Sequence, residues 1–158
     1  MPILEKDLFS ARTSWGNGLI EISKSFETGG IEMARIVAGK MLDTLYGYDL
    51  GQVLFKPTLS GGSKTFRPTK EGALSYYTGQ NSIYPDDVGF GVKSWCEFSS
   101  NTSAIFIDDT VAMWMGSFTL IDRDVQVTKV DKSWGYKLDG DGNLRIMLHH
   151  SSLPYEPK

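Results

Sequence analysis

The only two histidines of the chain stand side by side near its end, in Leu148-His149-His150-Ser151-Ser152-Leu153-Pro154-Tyr155. Histidine is the one side chain whose unperturbed pKa, about 6.5, lets it change charge near neutral pH. Two hydroxyl residues follow directly and can pass protons on. If the segment is a strand, successive side chains point to opposite faces, so His149 and Ser151 share one face while His150 and Ser152 share the other. The plain alternative is structural: a strand that ends at a proline carries polar residues where the sheet meets water.

The split between the histidines bears on metal chemistry, because neighbours on a strand cannot readily chelate one ion. Catalytic zinc needs about three protein ligands, and no Cys pair or His-x-x-x-His spacing supplies the others. Asp139, Asp141 and Asn143 look superficially like a calcium loop, yet its twelfth position falls on His150 where a bidentate Glu is needed. A hairpin turn explains them better. A serine hydrolase is disfavoured by the lack of a Gly-x-Ser-x-Gly elbow. Paired-carboxylate chemistry is equally weak, since the acidic residues gather in turns where solvent keeps them ionised.

A pocket of neutral hydrogen-bonding groups fits better. In an enclosed site, hydroxyls and an imidazole polarise a bound molecule with little screening by bulk water. His149 and Ser151 would come from the last strand, and Thr58 from the end of the first. On a short helix over 69–78, Tyr76 shares a side with Thr69, Gly72 and Ala73, whose small size lets its ring lie against a sheet. For Tyr76 and Tyr77 taken alone, the structural reading is a core ring with a wet hydroxyl.

These groups need elements to hold them. Leu4, Leu8, Ala11, Trp15, Leu19, Ile22 and Phe26 recur every three or four residues and draw an apolar stripe on a long helix that Thr28-Gly29-Gly30 ends. A second helix carries Ile31, Ala34, Ala38, Met41 and Leu45 and stops near Gly47. Residues 52–57 read as a short strand. Thr69, with Glu71 in the first turn, opens the short helix and Gly79 closes it. From Gly91 onward β-branched and aromatic residues dominate, with breaks expected at Ser99-Ser100-Asn101, Asp108-Asp109, Asp122-Arg123-Asp124 and Asp139-Gly140-Asp141-Gly142. The expectation is an α+β fold, N-terminal helices packed on a curved antiparallel β-sheet of about four long strands.

Composition bounds the class. The 158 residues suit a single domain spanning 1–158. With 41% hydrophobic and 22% charged residues, the chain has ordinary soluble composition, and no stretch reads as a spanning helix or an apolar signal core. A net charge of −3 offers no basic footprint for nucleic acid or for an anionic membrane. The lone Cys96 cannot form an internal disulfide, and beside Trp95 and Phe98 it is expected to be a buried strand thiol. A reducing, cytoplasmic setting fits.

Two leading helices, the strand Val53-Leu54-Phe55-Lys56-Pro57-Thr58, the helix Gly72-Ala73-Leu74-Ser75-Tyr76-Tyr77, and the ending Gly142-Asn143-Leu144-Arg145 through His149-His150-Ser151-Ser152-Leu153-Pro154 resemble the nuclear transport factor 2-like superfamily. More narrowly, they resemble the branch that contains the calcium/calmodulin-dependent kinase association domain and the iota-class carbonic anhydrases. The resemblance implies a cone of curved sheet closed by helices, a pocket inside, and a homodimer formed through the sheet's outer face. It also implies reversible hydration of carbon dioxide to bicarbonate, with pocket residues falling on Thr58, Tyr76, His149 and Ser151. Thr58, Tyr76 and Ser151 would hold substrate. Members close to this pattern are regarded as working without metal, others in the class being associated with manganese or zinc; the missing ligand set favours the former. Apart from the resemblance, Trp95, Trp114, Phe118 or Met147 could form apolar walls that hold carbon dioxide, or belong equally to the core. Two other readings belong to the same fold: a non-catalytic oligomerisation or small-ligand-binding domain, and an isomerase or cyclase, for which Glu97 is the candidate base.

Overall fold

The computed structural model describes residues 2–158. Helix α1 runs Glu5–Leu45 and is bent where Gly30 leaves helical geometry at φ 72°, a left-handed value that glycine adopts without a Cβ clash. The two expected helices are the two arms of this bend. Leu8, Trp15, Leu19 and Ile22 are buried on the first arm, and Ala34, Ala38, Met41 and Leu42 on the second. Asp7 accepts a hydrogen bond from the Leu4 N–H at 2.8 Å, which satisfies a donor ahead of the first turn.

Strand β1 (Leu54–Lys56) follows, then α2 (Lys70–Thr78), then four long strands: β2 (Trp95–Asp108), β3 (Val111–Asp122), β4 (Val127–Leu138) and β5 (Leu144–Ser152). The sheet order is β1-β5-β4-β3-β2, antiparallel except for the β1/β5 pair, which is parallel. Ser99-Ser100-Asn101 does not break the chain, in contrast to the sequence expectation. Those residues lie inside β2, where Ser99, Ser100 and Asn101 pair with Thr119, Phe118 and Ser117. A polar run on a strand whose outer face meets solvent carries no turn signal of its own. Cys96 also departs from expectation, being exposed rather than buried.

Ala112, Trp114, Phe118 and Leu120 of β3 and Val130, Lys132, Trp134 and Tyr136 of β4 line the inner face of the sheet, where α1 crosses it. The Trp15 ring meets Phe118 at 5.3 Å and Trp134 at 5.4 Å between centroids, both edge-on, the arrangement favoured by aromatic quadrupoles. Gly16 beside it cannot carry a side chain without displacing Phe98: a Cβ would lie 2.5 Å from that ring.

One irregularity decides which face the last strand presents. Tyr136 pairs with Ile146 and Gly135 with Leu148, so Met147 is an extra residue on β5. Strict alternation from the buried Ile146 would send Leu148 and His150 inward; the bulge shifts the phase by one and turns His149 and Ser151 inward instead. His150 is exposed on the outer face.

Candidate functional site

The long helix delivers Tyr46 to the last strand. Arg145 of β5 donates to the carbonyls of Tyr46 at 2.6 Å and Asp43 at 2.8 Å, which caps the helix end, and is itself paired with Asp49 at 2.6 Å. Gly47 N–H reaches the Ile146 carbonyl at 2.9 Å. Held this way, the Tyr46 hydroxyl stands 2.8 Å from His149 Nδ1 and 2.6 Å from the Tyr77 hydroxyl. The Trp15 indole N–H is shared between the Tyr46 and Tyr77 oxygens at 3.1 and 3.2 Å.

Helix α2 delivers Tyr76 and Tyr77. Thr69 caps it by accepting from the Gly72 N–H, and the Gly79 N–H closes it on the Ser75 carbonyl. Its seat is fixed by Arg67, which forks onto Asp87 through two 2.7 Å contacts and donates to the Gly72 carbonyl at 2.8 Å. Ser75 donates to the same Asp87 carboxylate at 2.6 Å. The Tyr76 hydroxyl accepts from the Leu59 N–H at 3.2 Å. Burial raises its pKa well above the usual phenol value; the Leu59 N–H and the neighbouring Thr58 hydroxyl pull the other way. Tyr76 is therefore a neutral phenol, able to donate.

The other side of the site is the register of three strands. Phe55 of β1 and Trp134 of β4 lie opposite His149, and Lys132 of β4 lies opposite Ser151. The Phe55 ring stacks on the imidazole at 4.5 Å. His149 Nε2 is 2.8 Å from Ser151 Oγ, Lys132 Nζ donates to Ser151 Oγ at 2.7 Å, and Nζ lies 3.1 Å from Nε2, so the three atoms close a triangle. All three residues are at most 3% exposed. Burial is the main reason that the imidazole pKa is held well below its usual value, with the charge of Lys132 and then that of His150 acting in the same direction. Burial likewise holds the Lys132 amine well below the ordinary lysine range.

Lys132 was not among the residues the sequence singled out. A lone lysine on a strand reads as a solvated residue, yet Val130, Lys132, Trp134 and Tyr136 form one inward stripe, and an inward period of two was the available signal. Its Nζ sits 4.2 Å over the Trp15 ring and 5.4 Å from that of Trp134.

These elements enclose a small pocket lined by Trp15, Phe55, Thr58, Tyr76, Tyr77, Phe90, Lys132, His149 and Ser151, with about 150 Å³ of space between the atoms. That space is narrow, with no position that takes a whole water-sized sphere, so a guest must press side chains apart. Thr58, Tyr76, His149 and Ser151, the four residues proposed from sequence, all face it. The apolar walls are different ones: Trp15, Phe55 and Phe90 line the pocket, whereas Trp95, Trp114 and Phe118 are core and Met147 is the bulge residue. Glu97 is exposed, away from the pocket, which removes the base an isomerase reading needed.

The sequence profile of the metal-independent carbonic anhydrases matches residues 6–153. The chain belongs to that family. It is 42% identical over 154 residues to a metal-independent carbonic anhydrase of Nostoc sp. (strain PCC 7120), the match covering 98% of this chain and 75% of that protein. It is similar to the crystal structure of an iota-carbonic anhydrase from a cyanobacterium complexed with bicarbonate, at 42% identity and a TM-score of 0.97 over 99% of this chain and 95% of that one. A protein from Xanthomonas campestris assigned as a calcium/calmodulin-dependent protein kinase II association domain shares the fold, with a TM-score of 0.66 at 21% identity over 98% of this chain and 91% of that one. The fold is also shared with a protein of the nuclear transport factor 2-like family from Streptomyces avermitilis, with a TM-score of 0.50 at 12% identity over 96% of each chain.

Proposed function

We propose that Thr58, Tyr76, His149 and Ser151 carry the reversible hydration of carbon dioxide in this pocket, with no metal cofactor. The observation that supports it is the buried triangle of His149, Ser151 and Lys132 facing the Tyr76 and Thr58 hydroxyls across a pocket of about 150 Å³. Trp15, Phe55 and Phe90 form the apolar side on which carbon dioxide rests.

Hydration requires water to lose a proton as its oxygen attacks the carbon. Metal enzymes lower the pKa of bound water from 15.7 to about 7 for this purpose. Here the proton passes to Ser151 Oγ while Ser151 gives its own to His149 Nε2. The carbon–oxygen π electrons move onto the substrate oxygen, which Tyr76 and Thr58 stabilise by donating hydrogen bonds. Each such group contributes roughly 10²-fold or more. Because burial keeps the imidazole weakly basic, it returns the proton readily. Its Nδ1–H leads through Tyr46 to Tyr77, which also lines the pocket, so a proton handed back to the substrate oxygen at that end gives carbonic acid, which leaves the pocket and ionises to bicarbonate in water.

The 158 residues act as one nuclear transport factor 2-like domain. Phe106, Val111, Met113 and Met115 are exposed on β2 and β3, which supports a homodimer through the outer face of the sheet. The single unpaired Cys96 suits a reducing, cytoplasmic location. The proposal is tested by soaking crystals in bicarbonate: the anion should touch Thr58, Tyr76 and Ser151, and an anion seated elsewhere would refute this assignment.

A further inference from the structure

Lys132 has no part in the hydration steps above, yet its amine lines the pocket in which carbon dioxide reacts. It forms no ion pair with a carboxylate among the described residues, and its nearest groups are the Ser151 hydroxyl, His149 Nε2 and the Trp15 face. A buried ammonium ordinarily has an acidic partner, because a charge out of water must be compensated. We infer that Lys132 is a reversible carbon dioxide acceptor, whose amine forms a carbamate inside the pocket. The inference rests on carbon dioxide reaching this pocket, as the proposed function requires.

The chemistry balances within the triangle. The amine lone pair attacks the carbon, the carbon–oxygen π pair moves onto oxygen, and one N–H proton is released. His149 Nε2, 3.1 Å away, takes that proton in the tautomer whose Nδ1–H donates to Tyr46. The product is a carbamate beside an imidazolium, an internally compensated pair. Ser151, Thr58 and Tyr76 supply hydroxyl donors for the new carboxylate oxygens. Three added heavy atoms are of the size that a pocket for bicarbonate accepts. Burial lowers the pKa of the amine from the usual lysine range, which favours its unprotonated, nucleophilic form relative to an exposed lysine. Carbamate on Lys132 occupies the substrate pocket, so high carbon dioxide would slow the enzyme until the adduct decomposes.

The test is trapping. The intact protein is equilibrated near neutral pH with isotopically labelled carbon dioxide, the carbamate oxygen is alkylated to a stable ester, and peptides are mapped by mass. The expected result is label on Lys132 at a level on the order of tenfold or more above any other lysine, rising with carbon dioxide pressure. Mapping in the unmodified chain locates the adduct without relying on a variant; Lys132→Met, checked for folding by circular dichroism, should lose the label. Hydration is assayed on the same sample. Active enzyme with no label on Lys132 overturns the inference and leaves the proposed function standing. Label on Lys132 in a protein that does not hydrate carbon dioxide upholds the inference and overturns the proposed roles.

Discussion

The Tyr46 hydroxyl and His149 Nδ1 stand 2.8 Å apart, joining the end of the long helix to the last strand at the one imidazole that faces the pocket. Tyr46 also bonds Tyr77 and accepts from Trp15, so its oxygen is the hub of a buried chain of donors. Tyr46→Phe leaves His149 Nδ1 without its partner and leaves the Tyr77 hydroxyl only the Trp15 N–H. It should cost about 1–3 kcal/mol of stability in urea unfolding. With the proposed relay through Nδ1 cut, kcat for hydration should fall on the order of 10²-fold with KM little changed. A KM effect alone would show that Tyr46 serves only to shape the pocket.

Ser151→Ala removes the hydroxyl that both Lys132 and His149 reach, and Tyr76→Phe removes the acceptor of the Leu59 N–H and a pocket donor. Each should lower kcat/KM roughly 10²-fold or more in stopped-flow hydration. His150→Gln, on the outer face, should leave kcat/KM unchanged. Equal losses at His149 and His150 would contradict the assignment of faces.

The four pocket residues were legible because each sits at a place where local rules are strong: a Pro-terminated strand end, a capped short helix, and an alternating strand. Strand alternation gave the correct pairing of His149 with Ser151, although the reason they face inward is the Met147 bulge, which no periodicity announces. The parallel pairing of β1 with β5, which puts Phe55 on the imidazole, is likewise a tertiary fact. Lys132 escaped notice because lysine type argues for solvent while strand phase argues for the core, and phase prevailed. Ser99-Ser100-Asn101 misled for the converse reason, since polar type is compatible with a solvent-facing strand as well as with a turn.

The clamp on α2 is open to a separate test. The Arg67 and Asp87 side chains are 3% and 5% exposed. Truncating one partner strands the other charge in a dry site, so Asp87→Ala should destabilise the fold by about 3–5 kcal/mol. The fluorescence and hydrogen exchange of α2 should change with it, and KM should rise as Tyr76 loses its seat. A neutral effect would show that α2 is held by packing alone.

Stability should depend on pH through the buried bases. In the folded state His149 and Lys132 bind protons less readily than their ordinary values of 6.5 and 10.5, so the unfolded chain holds more protons over the intervals below those values. Stability therefore rises with pH through these intervals, with a slope of up to about 1.4 kcal/mol per pH unit for each group, and is lost on acidification. Tyr46, Tyr76 and Tyr77 have raised values, so above 10 the unfolded chain loses protons that the folded one keeps, and the sign reverses. Urea midpoints from pH 5 to pH 9 should climb for the parent and climb less steeply for Lys132→Met. A flat parent curve would mean that these groups are charged in the fold.

In the proposed function this pocket hydrates carbon dioxide with its own hydroxyls and imidazole. Stopped-flow hydration on protein exhaustively treated with chelator, its metal content verified by elemental analysis, tests it most directly. Full activity is expected after chelation, with no gain on adding zinc or manganese. Activity that disappears with the chelator and returns only with added metal would contradict it.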